Sequence, residues 1–278
     1  MTTLDEITYQ LVDGVGEITL NRPDQLNPIS ARDGGTRDQI MWALGQAESD
    51  PEVGSILLRG AGKAFSAGGD LTGNARRETA AEQSAFMEQS EQFHSRMRTA
   101  RLPIVAAVHG YCLGAALQLI ATCDLVIAGR SARFGVPEGR IGLVGASPLV
   151  PLVGRQWAKF LVLTGELIDA EQACRIGLAL TVEPDEELLE RSRELCRRLA
   201  RLPRAATLLN KRTVDAIADA SGEAAGRLAG AARDVVTLSD SARAEAPDGR
   251  TFRQILDAEG MAGMKEARAA QYREPWLR

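Results

Sequence analysis

An α/β fold with a largely parallel sheet, followed by a helical C-terminal region, is what this 278-residue sequence predicts. Three observations predict it. Short apolar, β-branched runs at residues 53–59, 104–108 and 124–128 have the character of strands covered on both faces. Helical stretches at 30–48 and 82–100 lie among them and imply right-handed βαβ crossovers. From about Asp185 onward the pattern is mostly helical and highly charged.

Taken in order, Ile7 begins two short strands separated by an Asp13-Gly14 turn, the signal of a hairpin. Ser30 is placed to cap the helix over 30–48. The helix over 82–100 carries Glu82, Glu88 and Glu91, expected on a solvated face, and His94, expected exposed or capping. The runs 186–202, 204–220, 224–239 and 252–271 read as amphipathic helices, with Gly and Pro punctuation near 203, 222 and 247–249.

Composition narrows the function. With 45% hydrophobic residues the chain can bury one large core. Lys+Arg total 33 against 37 Asp+Glu, a formal charge of -4, which gives no global electrostatic case for nucleic acid. No apolar run approaches the ~20 residues of a membrane span. The first residues lack the basic-then-apolar order of a signal peptide, and Cys112, Cys123, Cys174 and Cys196 are scattered without a CxxC pair. A cytoplasmic protein with buried, reduced thiols is the expectation. His94 and His109 stand outside ligand spacing with any cysteine, so no metal site is expected.

Two small-residue stretches follow strands. Gly62-Lys63-Ala64-Phe65-Ser66-Ala67-Gly68-Gly69-Asp70-Leu71 comes after the run at 53–60, and His109-Gly110-Tyr111-Cys112-Leu113-Gly114-Ala115-Ala116-Leu117-Gln118-Leu119 after the run at 104–108. Such loops let a ligand approach the backbone and aim N–H groups at an oxygen that gains charge during reaction. His109 is expected to support its turn.

These loops are joined by Ile18-Thr19-Leu20-Asn21-Arg22-Pro23 with Leu26-Asn27, by Cys123-Asp124-Leu125-Val126-Ile127-Ala128, and by Phe134-Gly135-Val136-Pro137-Glu138. Leu163-Thr164-Gly165, Ala170-Glu171-Gln172-Ala173, Ile176-Gly177-Leu178 and Glu259-Gly260-Met261 with Arg268 complete the set. In that order, over roughly residues 15–270, the sequence resembles the crotonase superfamily, the enoyl-CoA hydratase/isomerase family. The resemblance implies a repeated ββα spiral over 1–200 holding an acyl-CoA site, then a helical trimerisation region over 201–278. It implies a homotrimer or dimer of trimers, with coenzyme A entering as part of the substrate and no other cofactor.

Carried over residue by residue, the resemblance puts the oxyanion-hole N–H donors at Gly69 and Ala115, the latter where the family usually has glycine. Arg22, Leu26, Lys63 and Ala64 fall along the nucleotide. Ala67, Gly68, Asp70, Leu71 and Gly114 line the remainder of the acyl-CoA site. The two acid/base positions of the hydratases are Gln118 and Glu138 here. A carboxamide cannot exchange a proton at useful pH. A single carboxylate suits a 1,3 proton shift, so double-bond isomerisation is expected first. Enoyl-CoA hydration and a non-catalytic acyl-CoA-binding trimer are the alternatives. Arg140 is expected in a structural ion pair. Residues 142–148, which replace the usual glycine-rich continuation, and 214–250 depart most from the family pattern.

Overall fold

The structure, a computed structural model, describes residues 4–71, 79–141, 149–220, 222, 244–270 and 276–277. Asp13 and Gly14 both take positive φ (50° and 77°), the twist a tight hairpin needs, and join β1 (Ile7–Val12) to β2 (Val15–Leu20). The sheet continues through β3 (Ser55–Gly60), β4 (Ile104–Val108), β6 (Leu125–Gly129) and β9 (Thr181–Glu183), in the spatial order β1-β2-β3-β4-β6-β9. Every pairing after the hairpin is parallel. A smaller sheet sets β7 (Arg133–Gly135) between β5 (Tyr111–Leu113), which it pairs in parallel, and β8 (Ile168–Asp169), which it pairs antiparallel.

The expected double-sided burial is present and follows the period of two. Ile18, Leu20, Ile56, Leu58, Ile104 and Ala106 point into the main core with residues of α1 (Thr36–Ser49) and α2 (Ala80–Arg98). The alternate residues Val15, Leu57, Val105, Ala107 and Ile127 face Leu188 and Cys196 of α6 (Asp185–Ala200). Helices α3 (Ala115–Ile120), α4 (Leu149–Thr164) and α5 (Ala170–Arg175) complete the first part of the chain. After α6 come α7 (Arg204–Ala220) and α8 (Phe252–Ala270), and the helix expected over 224–239 lies outside the described residues.

Three local expectations are corrected. The helix expected from Ser30 begins at Thr36 and is capped by Gly35. Gly34 takes a φ of 70° and turns the chain, while the Ser30 hydroxyl donates to the Glu6 carboxylate (2.5 Å) and accepts from the Thr36 N–H (2.8 Å). His94 is half-buried with its ring 5.3 Å from that of Phe93, and burial, aided by Arg37, pushes its pKa down to about 3. All four cysteines are free, but only Cys112 and Cys196 are buried. Glu82, in contrast, closes a capping box with Thr79 at the solvent-facing start of α2.

One charge pair locks α6 to the sheet. Glu17 of β2 is fully buried on the α6 face, and Arg193 meets it with two hydrogen bonds, Nε at 2.6 Å and Nη2 at 2.9 Å. Burial pushes the Glu17 carboxyl up, but Arg193 and Gln10 hold it below the ordinary glutamate value. Removing Arg193 strands a buried anion. The variant Arg193→Ala should lose about 3 kcal/mol in urea unfolding at pH 7. That deficit should shrink as the pH falls through and below the ordinary glutamate range, because protonation then relieves the stranded charge. A loss under about 1 kcal/mol at pH 7 would contradict this account.

Candidate active site

The first small-residue loop is stitched to the chain on both sides. On one side, the Ala67 N–H donates to Leu26 O (2.8 Å), Ile29 N–H to Gly68 O (2.8 Å) and Asp70 N–H to Ile29 O (3.0 Å). On the other, Phe65 N–H donates to His109 O (2.7 Å), Ser66 N–H to Tyr111 O (2.9 Å) and Leu113 N–H to Ser66 O (3.2 Å). The two small-residue loops therefore lie side by side as an improvised parallel pair. The His109 ring supports the turn as expected, its Nε2 standing 2.9 Å from Gly62 O.

Asn27 is a residue whose role the sequence did not signal. At a left-handed φ of 53°, its amide nitrogen reaches the carbonyls of Ala61 (2.8 Å), Ala64 (2.9 Å) and Phe65 (3.2 Å). Its Oδ1 accepts the Arg22 N–H at 2.8 Å. Arg22 in turn holds the loop's acid: Nη1 lies 2.8 Å from Asp70, which is only 3% exposed, and 3.4 Å from Glu6. Glu6 gathers Ser30, Thr36 and Arg32 as well. Burial raises the Glu6 carboxyl, yet these donors and Arg22 together hold it below its ordinary value.

The stitching leaves Gly69 and Ala115 facing one another. Among the described residues, neither N–H is taken by a backbone acceptor. A methyl built on Gly69 would come 3.8 Å from Ala115 Cβ, and one on Gly68 3.8 Å from the Ala115 nitrogen. Ala115 opens α3 directly after Gly114, so its N–H belongs to the unsatisfied first turn of a helix. Two such donors can hold an oxygen that takes on negative charge.

Glu138 reaches the same place from another element. It sits on a 3-10 turn, Pro137–Ile141, that leaves β7. Gly139 lets that turn press on α4, where an added Cβ would meet Val162 O at 2.7 Å. Arg140 Nε donates to Thr164 O at 2.6 Å. The Glu138 carboxylate then lies directly over Gly114, whose missing Cβ would sit 2.0 Å from Oε1. Gly114 also takes a φ of 53° with ψ −117°. Gln118, half-buried, stands one helical turn beyond Gly114 and donates its N–H to Gly114 O at 3.0 Å.

The structure therefore brings Gly68, Gly69, Gly114, Ala115 and Glu138 together, with Gln118 one turn away. Of the residues expected along the nucleotide, Lys63 is exposed, Ala64 is buried with its carbonyl on Asn27, and Leu26 is half-buried in a left-handed conformation. Leu71, 43% exposed, marks the open end of the loop. Residues 142–148 lie outside the described residues.

A family model described as enoyl-CoA hydratase/isomerase matches residues 10–274. The chain is 35% identical over 212 residues to a probable enoyl-CoA hydratase of Mycobacterium leprae, covering 74% of this chain and 80% of that protein. It is 36% identical over 207 residues to a probable mitochondrial enoyl-CoA hydratase of Dictyostelium discoideum, covering 73% and 72%. A crystal structure of an enoyl-CoA hydratase/isomerase from Xanthobacter autotrophicus Py2 matches with a TM-score of 0.88 at 27% identity, covering 97% of this chain and 99% of that one.

Two substitutions test the geometry without reference to any reaction. Asn27→Ala leaves buried carbonyls without their donor and should cost about 2–3 kcal/mol. Hydrogen exchange at Phe65, Ser66 and Ala67 should quicken with it, and unchanged exchange would show that the loop holds itself. Gly114→Ala should lower the melting temperature by several degrees and swing Glu138 aside in a crystal structure. Gly69→Ala, whose Cβ would meet only Ala115 Cβ at an ordinary 3.8 Å, should stay within about 2 °C of the parent.

Proposed function

Because the chain belongs to the enoyl-CoA hydratase/isomerase family, we propose that it is an acyl-CoA enzyme that stabilises a thioester enolate and shifts the double bond of an enoyl-CoA. The observation that carries this reading is the pairing of Glu138, poised over Gly114, with a carboxamide at Gln118. In the proposed reaction the thioester oxygen of a 3-enoyl-CoA accepts hydrogen bonds from the Gly69 and Ala115 N–H groups. Glu138 removes a proton from C2, electrons move onto that oxygen, and the resulting dienolate takes the proton back at C4. The product is the conjugated 2-enoyl thioester. One carboxylate suffices, since it is regenerated when it returns the proton.

Hydration is the second reading, and the names of the relatives favour it. There Gln118 would orient a water molecule and Glu138 alone would exchange protons. In either reaction Lys63, Ala64, Leu26 and Arg22 border the nucleotide end of the substrate, and no cofactor beyond the substrate's own coenzyme A is called for. The proposal includes a homotrimer or dimer of trimers. Its support here is the apolar face of α7, where Leu209, Val214 and Ile217 are 63%, 68% and 65% exposed. No described helix is long and apolar enough to cross a membrane, and a cytoplasmic setting is part of the proposal.

Proton NMR of 3-hexenoyl-CoA incubated with the protein in deuterated water tests the reading. The conjugated thioester should form, with deuterium at C4 only to the extent that the Glu138 proton exchanges with solvent before its return, and Glu138→Gln should slow it by about 10²–10⁴-fold. Accumulation of a 3-hydroxyacyl product would favour hydration. Neither product, with no deuterium at C2, would overturn both for this substrate.

A further inference from the structure

The direction of the Gly69 N–H is set by Ile29. Gly68 O accepts the Ile29 N–H at 2.8 Å, and that carbonyl belongs to the same peptide as the Gly69 N–H. Carbonyl and N–H point opposite ways across a trans peptide, so the Gly69 donor is aimed away from Ile29. On the other side of Gly69, the Asp70 N–H returns to Ile29 O at 3.0 Å. Buried Ile29 is thus the edge against which the donor is set.

Ile29 is fixed in turn by a buried acid just ahead of β1. Glu6, 4% exposed, accepts the Ser30 hydroxyl at 2.5 Å and the Thr36 hydroxyl on its Oε2. Those two residues also bind each other: the Ser30 N–H donates to Thr36 Oγ1 at 3.1 Å, and the Thr36 N–H to Ser30 Oγ at 2.8 Å. The residue that follows Ile29 is therefore tied by both backbone and side chain. The other oxygen, Oε1, accepts from Arg32 Nη2 at 2.7 Å and meets Arg22 Nη1 at 3.4 Å. The same Arg22 nitrogen lies 2.8 Å from Asp70. Glu6 is itself anchored, its N–H donating to Gln39 Oε1 at 3.0 Å and its carbonyl accepting the Asn21 N–H at 2.8 Å.

The two oxygens of one carboxylate thus reach both neighbours of Gly69, Gly68 through Ser30 and Ile29, and Asp70 through Arg22. Bonds to an ionised acceptor are roughly twice as strong as neutral ones, so the brace is stiff. A carboxamide in its place would turn N–H donors toward groups that are themselves donors. Glu17 offers the contrast. It is just as buried, but its bonds go to Arg193 and Gln10 on the other face of the sheet.

We propose that Glu6 is a positioning residue of the oxyanion hole: by fixing Ile29 through Ser30, and Asp70 through Arg22, it holds the Gly69 N–H on the line that the thioester oxygen needs. It acts through these residues and not on the substrate. The inference rests on the preceding reading of Gly69 as a donor to that oxygen. It adds to the site a residue from the start of the chain.

The test reads the donor and its acceptor directly. Glycine-selective nitrogen-15 NMR follows the Gly69 amide, identified by its loss in Gly69→Ala. Infrared spectroscopy follows bound butanoyl-CoA labelled with carbon-13 at its thioester carbonyl. In Glu6→Gln, and to a smaller extent in Ser30→Ala, the Gly69 resonance should move and the bound carbonyl band should return toward its solution frequency. Glu17→Gln should leave both at the parent's positions. With 3-hexenoyl-CoA, kcat of Glu6→Gln should fall by about tenfold or more, short of the ~10²–10³-fold loss of a whole donor, with KM within about threefold. Parent-like amide and carbonyl signals in every folded member of the pair Glu6→Gln and Ser30→Ala overturn the proposal, and so does an equal change in Glu17→Gln. Signals that respond to Glu6 without turnover of 3-hexenoyl-CoA by the parent sustain the assignment and count against the isomerisation reading alone. Absence of a bound carbonyl band in the parent would count against the acyl-CoA reading, and the amide resonance would then decide the Glu6 assignment.

Discussion

Everything at the site depends on how the loop at residues 61–71 is clamped between two other pieces of backbone. It is too glycine-rich to hold a shape by itself, since glycine loses more conformational freedom on ordering than any other residue. Pairing with Leu26 and Ile29 on one flank and with residues 109–113 on the other converts it into the middle member of a short parallel array. The pairing consumes the N–H groups of Ala67 and Asp70 and spares that of Gly69. A free donor thus remains at a rigid position, the condition under which a backbone dipole stabilises developing charge without reorganising.

The same clamp explains an otherwise costly burial of charge. Asp70 and Glu6 are both almost completely buried, and two anions so close to one another need a shared cation. Arg22 supplies it, bonded to both carboxylates and, through its own N–H, to Asn27. The result ties the end of β2, the start of β1 and the far end of the glycine loop into one unit. Glu17 and Arg193 repeat the device on the other face of the sheet, where they join β2 to α6.

These pairings also mark the limit of what the residues disclosed in advance. The strands at 104–108 and 124–128 were legible because a buried parallel strand needs β-branched residues on both faces, and that pattern is local. The two loops were legible for the same reason, and so was Gln118 where a second carboxylate was expected. Ser30 misled because its hydroxyl serves Glu6 and the Thr36 N–H, partners that a helix-capping pattern does not contain. Asn27 and Arg22 stood in the quoted motif, but their bonds to Ala64 and Asp70 depend on a chain reversal that no local pattern encodes. The final helix was visible as a helix, but its share with Ile141 in one buried cluster is a long-range contact that no local pattern encodes.

The charge balance around Glu138 gives the carboxamide at Gln118 a physical meaning beyond a missing acid. Two neighbouring carboxylates cannot both stay ionised cheaply, so a site with two of them tends to hold one as an acid and one as a base. With glutamine one turn beyond Gly114, that repulsion is absent. A neutral neighbour removes one penalty on the charged form of Glu138. A carboxylate so placed begins its work by taking a proton, and it can donate only the proton it has taken. A cycle that takes a proton from the substrate and returns it is a rearrangement; for a net addition of water the same carboxylate would pass a proton from the water to C2 as the hydroxyl adds at C3, with Gln118 left to orient that water.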